Sequence, residues 1–287
     1  MASNMKAVKL RMNSVRNTMQ ITRAMELVAS SRLRRAKEIA DNCRPYFEEL
    51  YEALDTIARG NTDFSSVYVR PAACEKWCYV VIAGDRGLAG GYNANLFKRL
   101  EAEAAGKDYM VLPIGKKAVE YFKRRGKEIL TDAFAEVAKV RVSDCFEIAS
   151  LLCKEYKEGR IGHIALFYTK FHSMLSQEAS SIPVIPLEDL NSPEEAASRD
   201  KVRDLILYEP EASEVFDAIV PEYLAGLTYG AVCESSVSEL AARRMAMEAA
   251  TNNAEEMIEK LSLQYNRARQ SSITQEITEI VAGAEGV

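Results

Sequence analysis

Residues 237–268 read VSELAARRMAMEAATNNAEEMIEKLSLQYNRA, and apolar or small side chains recur among them at alternating steps of three and four. This spacing is the heptad pattern of a helix that packs along a second helix. The same seam begins upstream at Phe216 and reaches Ala268 without a fault. Small residues in the seam, such as Gly226 and Gly230, let two helices approach closely but bury little apolar area. A helix over 212–282 would be on the order of 100 Å long.

A second heptad seam, with one phase slip, occupies the amino-terminal residues 3–58. Gly60 is the first glycine of the chain, and Gly60-Asn61 is expected to end this helix. Pro45 is expected to kink or break it, and Pro221 to bend the carboxyl-terminal helix near its start. Residues 1–44 carry ten basic and three acidic side chains, although the net charge of the chain is −5. This acidic balance argues against bulk nucleic-acid binding.

Between the two helices the pattern changes to short apolar runs that alternate with helical segments. The expected strands cover 77–83, 109–114 and 163–168, with a further extended segment over 177–187 that Pro183 and Pro186 interrupt, and the expected helices cover 93–105, 116–125 and 141–158. Alternating strands and helices predict a small doubly wound, Rossmann-like α/β domain. The expected divisions are a helix over 1–60, an α/β domain over 74–190, a linker made of 191–193 and the charged run after it, and a helix over 205–287.

A glycine-rich segment, Gly84–Gly91, follows the first strand, which is where a phosphate-binding loop would lie. Its glycines do not have the G-x-G-x-x-G spacing of a dinucleotide site. Gly115-Lys116 also fails the P-loop pattern, because Met110 replaces the first glycine and Lys117 replaces the magnesium-binding Ser or Thr. The segment is therefore interpreted as a tight turn, and no cofactor is predicted.

Histidine and cysteine supply no recognisable catalytic or metal motif. His163 and His172 are the only histidines, and no sequence motif provides either with a nucleophile. Cys74 and Cys78 form a CxxxC pair with no second pair or nearby histidine to complete a metal site. The six cysteines are expected to be reduced and packed, and no run of eighteen apolar residues predicts a membrane span. We predict no catalytic residue and no metal ligand.

The residue patterns by themselves leave two other functions open. A nucleotide-using α/β enzyme with coiled-coil arms would show the same alternation of strands and helices. A cytoplasmic coiled-coil scaffold would show the same heptad seams. Nucleotide titration would separate the enzyme from the scaffold.

Three segments resemble the gamma subunit, the central stalk, of bacterial F-type ATP synthases. They are MNSVRNTMQITRAMELVA at 12–29, DRGLAGGYN at 85–93 and QYNRARQSSITQEITEIVAGA at 264–284. The third is the signature of the family. Gly84, in place of the family's common serine, and Glu285, in place of a small or basic residue, depart from the pattern. Because the segments lie at both ends and in the middle, the resemblance covers essentially the whole chain.

The resemblance implies a non-catalytic rotor. Its two terminal helices would pair as an antiparallel coiled coil inside a ring of three alpha and three beta subunits. The α/β domain would lie at the membrane end, with the epsilon subunit and the ring of c subunits. Proton or sodium flow through the c ring would turn the chain and so drive ATP synthesis, or ATP hydrolysis would turn it in reverse. The implied location is the cytoplasmic side of the bacterial plasma membrane, reached only through the complex.

The resemblance also implies two contact regions. The family's contacts with a loop of the beta subunit, the catch loop, map onto Arg269, Gln270, Thr274 and Glu276, with Met25 on the opposing helix. The family's contact with the polar loops of the c subunits maps onto the stretch 207–210, where Tyr208 and Glu209 are the candidates.

Overall fold

A computed structural model of the chain describes residues 2–60, 65–70, 74–187 and 208–285. The helices are α1 (Ala2–Gly60), α2 (Tyr92–Glu103), α3 (Lys116–Arg124), α4 (Val142–Lys157) and α5 (Ala212–Glu285), with a short 3-10 helix at Val137–Lys139. The strands are β1 (Trp77–Ile82), β2 (Tyr109–Ile114), β3 (His163–Phe171) and β4 (Gln177–Ile185). The linker expected at 191–193 lies outside the described residues.

The chain divides into two compact units. One contains residues 32–242, and the other contains residues 1–31 together with 243–287. Both α1 and α5 contribute residues to each unit. The larger unit holds the whole β-sheet, whereas the described part of the smaller unit is helical.

The larger unit is built on a four-stranded sheet in the order β2-β1-β3-β4. The central strand β1 is parallel to β2 and β3, and β4 is antiparallel to β3. Every residue of β1 after Trp77 is buried, as expected for a parallel strand covered on both faces. The strand order agrees with the predicted doubly wound sheet. The extended segment expected over 177–187 forms β4, which pairs with β3 as an antiparallel edge strand.

Alternate side chains of the strands enter two separate apolar clusters, one on each face of the sheet. On one face, Tyr79 and Val81 of β1 pack with Leu96 of α2 and Phe122 of α3. On the other face the cluster includes Val80 of β1 and side chains from α4, α1 and α5. The sheet is therefore enclosed between α2 and α3 on one side and α4, α1 and α5 on the other.

Within the larger unit, α1 and α5 run antiparallel. Leu33 of α1 packs with Val237 and Ala241 of α5. Further along α1, the rings of Tyr51 and Tyr223 lie 5.7 Å apart. As the residue number rises along α1, the residue number of its neighbour on α5 falls, which is the predicted antiparallel pairing.

In the smaller unit, a buried pair of hydroxyl groups joins the two helices. The Oγ1 atoms of Thr22 and Thr251 lie 2.8 Å apart, and the two residues are 8% and 6% exposed. Each hydroxyl can also donate to a carbonyl of its own helix, at Met19 and Met247 respectively. Thr22 and Thr251 are both positions of the predicted heptad seams.

Of the kink or break expected at Pro45, the break is wrong, because α1 continues from Ala2 to Gly60 with Pro45 inside it. A proline removes one backbone hydrogen bond, from its own position to the carbonyl four residues earlier. Pro45 and Asp41 are both exposed, so water can bind the carbonyl that the proline leaves free. Pro221 likewise lies inside α5. No helix in the described ranges is long and apolar enough to span a bilayer.

Candidate functional site

The glycine-rich segment after β1 forms a turn that the chain's own groups fill. The carboxylate of Asp85 accepts hydrogen bonds from the backbone N–H groups of Lys116, Val137 and Ala138, at 3.1, 2.9 and 3.1 Å. Lys116 is the first residue of α3, whose free N–H groups and positive dipole end would otherwise attract a phosphate. Asp85 therefore occupies the position that an anion would take at this helix.

Position 115, which lies in the Gly115-Lys116 pair that resembles part of a P-loop, requires glycine for a structural reason. It adopts a φ of 98°, and a Cβ atom there would lie 2.1 Å from the carbonyl oxygen of Ala83. Glycine is needed because the turn from β2 to α3 passes directly against the end of β1. The need for glycine at position 115 follows from packing between backbone segments.

Helix α5 covers the carboxyl ends of β1 and β3, where doubly wound proteins bind their ligands. The Tyr92 hydroxyl donates to the carbonyl of Ser235 at 3.2 Å, and the Ser235 hydroxyl accepts from the N–H of Thr169 at 3.2 Å. The Ser238 hydroxyl donates to the carbonyl of Thr169 at 2.9 Å. The side chain of Glu239 reaches Gly84. The crevice that would hold a nucleotide is therefore packed with side chains of α5.

The two histidines and the CxxxC pair make packing and polar contacts within the larger unit. His163 stacks on Trp77 with ring centroids 4.5 Å apart, and His172 Nε2 lies 3.0 Å from Glu178 on an exposed hairpin. Cys78 is fully buried, and burial raises the pKa of its thiol to about 12. Cys74 is partly exposed. Among the described residues, no three His, Cys, Asp or Glu side chains converge to hold a metal ion.

The residues predicted to contact the beta subunit lie in the smaller unit, and four of them are on the exposed end of α5. Successive helical residues turn by about 100°, so Gln270 and Thr274 share one side of α5 while Arg269 and Glu276 share another. Gln270 and Thr274 line a shallow depression, whose other lining residues are Arg267, Ser271 and Gln275. Arg269, Glu276 and the half-buried Met25 of α1 do not line it. The four predicted contact residues of α5 therefore lie on two sides of that helix.

An apolar stripe on the same part of α5 was missed by the sequence reasoning. Ile273, Ile277, Ile280 and Val281 are 44–71% exposed. Their spacing of four, three and one residues is a helical apolar face, and that face extends beyond Ala268, where the predicted seam ends. The spacing is visible in the sequence, but the predicted contacts came from the family resemblance and did not include these residues. A large exposed apolar patch is typical of a protein interface.

The second predicted contact region, Tyr208 and Glu209, lies in the larger unit, just before α5. Tyr208 is half-buried and packs against the core cluster that includes Val80. Glu209 is exposed. Leu207 lies outside the described residues. The tyrosine ring thus has a packing role, while the glutamate side chain faces solvent.

Comparison with known proteins covers nearly the whole chain. A family model described as ATP synthase matches residues 4–287. The ATP synthase gamma chain of Ruminococcus albus is 44% identical over 284 residues, which cover 97% of this chain and 96% of that protein. The sodium ion specific ATP synthase gamma chain of Acetobacterium woodii is 37% identical, with complete coverage of both chains.

Solved structures show the same fold at lower sequence identity. A chain of the Euglena gracilis mitochondrial ATP synthase, from a structure of OSCP, F1 and c-ring, superposes with a TM-score of 0.69 at 19% identity, covering 100% of this chain and 95% of that one. A chain of the central stalk and c-ring of the Tetrahymena thermophila mitochondrial ATP synthase gives a TM-score of 0.60 at 22% identity, covering 80% and 99%. The predicted resemblance is confirmed: this chain belongs to the gamma-chain family of the ATP synthases.

Proposed function

We propose that this chain is the central rotor of an F-type ATP synthase and has no catalytic site of its own. The observation that carries the proposal is full-length similarity to ATP synthase gamma chains at up to 44% identity. The packing at the carboxyl edge of the sheet supports the proposal that the chain has no catalytic site. Asp85 occupies the position where a phosphate would bind, and side chains of α5 fill the crevice where a nucleotide would bind. The chain joins ion flow through the c ring to ATP synthesis or hydrolysis on the alpha and beta subunits.

The partners of this rotor are three alpha and three beta subunits, the epsilon subunit and the c-subunit ring. The three expected divisions, 1–60, 74–190 and 205–287, then serve as a helix, an α/β domain and a longer helix of the same rotor. The chain reaches the cytoplasmic face of a bacterial plasma membrane only as part of the complex. The coupling ion is a proton or sodium; the relative from Acetobacterium woodii is specific for sodium.

The exposed end of α5 is the proposed contact with the beta-subunit catch loop. Arg269 presents a planar fork of donors suited to a carboxylate, and Gln270 can both donate and accept. Because they point about 100° apart, they can hold a loop from two sides. Thr274 and Glu276 extend these two sides, and Met25 contributes from α1. Each beta subunit would meet a different side of the rotor, and differential contact would set its nucleotide affinity.

The proposed contact with the c ring is made by Tyr208 and Glu209, at the base of α5. The exposed carboxylate of Glu209 suits a polar loop, and Tyr208 holds the segment on the core. Cysteine introduced at 208 should crosslink to a cysteine in the c-subunit loop, above the background given by the six native cysteines of the parent chain. Absence of the crosslink in a coupled complex would argue against this contact.

Nucleotide titration and co-purification test the proposed function. The isolated chain should show no ATPase activity and no micromolar binding of ATP by calorimetry. Tagged chain should purify with alpha and beta subunits at one copy to three of each. Micromolar ATP binding would favour the nucleotide-using enzyme, and purification without alpha and beta would favour the scaffold.

A further inference from the structure

Two cysteines lie opposite each other on α1 and α5 in the larger unit. Two pairs of neighbouring residues define the antiparallel register: Leu33 with Ala241, and Tyr51 with Tyr223. Between these two pairs both helices advance by the same number of residues, which places Cys43 opposite the turn that contains Cys233. Both cysteines are positions of the heptad seams, so their side chains point toward the partner helix.

The side chains agree with this register. The side chains of Cys43 and Cys233 interact with each other, and Tyr229, one helical turn before Cys233, also interacts with the Cys233 thiol. Cys233 is 8% exposed, whereas Cys43 is only partly buried. Burial raises the pKa of the Cys233 thiol to about 12. Cys43 is therefore the member of the pair that an oxidant in solution reaches first, and Cys233 must give up its proton before or as its sulfur attacks.

We propose that Cys43 and Cys233 are a disulfide-forming pair that links α1 covalently to α5 under peroxide. Hydrogen peroxide transfers one oxygen to the Cys43 sulfur, giving a sulfenic acid and one water. The Cys233 sulfur then attacks the Cys43 sulfur, the S–S bond forms, the S–OH bond breaks, and the hydroxide leaves as water with the thiol proton. Two thiols lose two electrons in total, and one peroxide becomes two waters.

The link closes a long loop of chain, so it restricts the unfolded state strongly. It also prevents α1 and α5 from separating at this level of the larger unit. The proposal is independent of the proposed function, because it concerns only the contact between two helices of this chain. The same pair would act in the isolated chain and in an assembled complex.

The test is peroxide treatment of the purified full-length chain, followed by peptide mapping without reductant. The linked Cys43–Cys233 peptide should form, and the midpoint of thermal unfolding should rise by about 5 °C or more and return to its starting value with dithiothreitol. Cys43→Ser should abolish both effects. Cys153→Ser, which removes a different buried thiol, is the control and should retain both.

Two results would overturn the proposal. One is recovery of Cys43 as sulfinic acid with no linked peptide. The other is a link between Cys233 and Cys145, a buried thiol of α4. Cys43→Ser removes the more exposed thiol and carries the test even where Cys233→Ser disturbs folding.

Discussion

At the scale of single residues, Gly115 shows how closely two backbone segments can approach. A side chain at this position would need both a φ of 98° and space that the Ala83 carbonyl already occupies. Asp85 stabilises the same corner, because its carboxylate binds three backbone N–H groups from two segments. Glycine and aspartate in this region are therefore explained by the architecture of the α/β domain.

Gly115→Ala should lower the free energy of unfolding by about 3 kcal/mol or more, because backbone strain and a steric clash add together. Gly106→Ala is a matched control. Gly106 also has a positive φ, 77°, but a Cβ atom there would meet nothing within 4 Å. The control should lose only about 1 kcal/mol. Urea unfolding of both variants measures the difference, and equal losses would contradict the packing explanation.

The Thr22–Thr251 contact gives a second prediction at the residue scale. Thr22→Val and Thr251→Val should each lower the free energy of unfolding by about 1 kcal/mol, since each removes the hydrogen bond between the two hydroxyls. The double variant should lose less than the two single losses combined, because both single variants remove the same hydrogen bond. Thr18→Val, at an exposed threonine of the same helix, is the control. Simple additivity in denaturant unfolding would show that the two hydroxyls do not interact.

At the scale of elements, periodicity predicted most of the fold. The heptad seams predicted the ends of α1 and α5 to within a few residues, and apolar runs bounded by turn residues predicted β1 and β2. Strand β4 was harder, because Pro183 weakens a strand pattern. The proline is tolerated because β4 is the edge strand, where a missing N–H leaves no neighbour unpaired.

Long-range packing could not be predicted from local pattern. Nothing in the residues around Ser235 indicates that its hydroxyl binds the backbone of Thr169. The covering of the sheet's carboxyl edge by α5 therefore appeared only in three dimensions. Periodicity could have revealed the apolar stripe from Ile273 to Val281, because that stripe is local to one helix.

At the exposed end of α5, we predict that Arg269 contributes to the transmission of torque. Arg269→Ala should leave the chain folded and assembled but impair ATP-driven ion pumping, because breaking an interfacial charge pair costs about 2–5 kcal/mol. Arg269→Lys should restore pumping only in part, because lysine lacks the planar fork. Lys260→Ala, which removes an exposed lysine of the same helix near Glu256, is the control. Unchanged ATPase and pumping in an Arg269→Ala, Gln270→Ala double variant would show that torque passes elsewhere.

At the scale of the whole molecule, the features fit a protein that acts through contact with partners. The usual ligand crevice is filled by the chain itself, while an apolar stripe and a set of polar groups are exposed at the end of α5. A basic amino-terminal segment lies on a chain of net charge −5, which suits acidic partner loops. These are properties of a subunit that biases the states of its neighbours.

Single-molecule observation of rotation tests the central claim most directly. The alpha and beta subunits are fixed to a surface, and a bead is attached to this chain through the α/β domain. With ATP, the account predicts rotation in one direction with three pauses per turn, one for each beta subunit. A bead that only fluctuates about one position while the same complexes hydrolyse ATP would contradict the account.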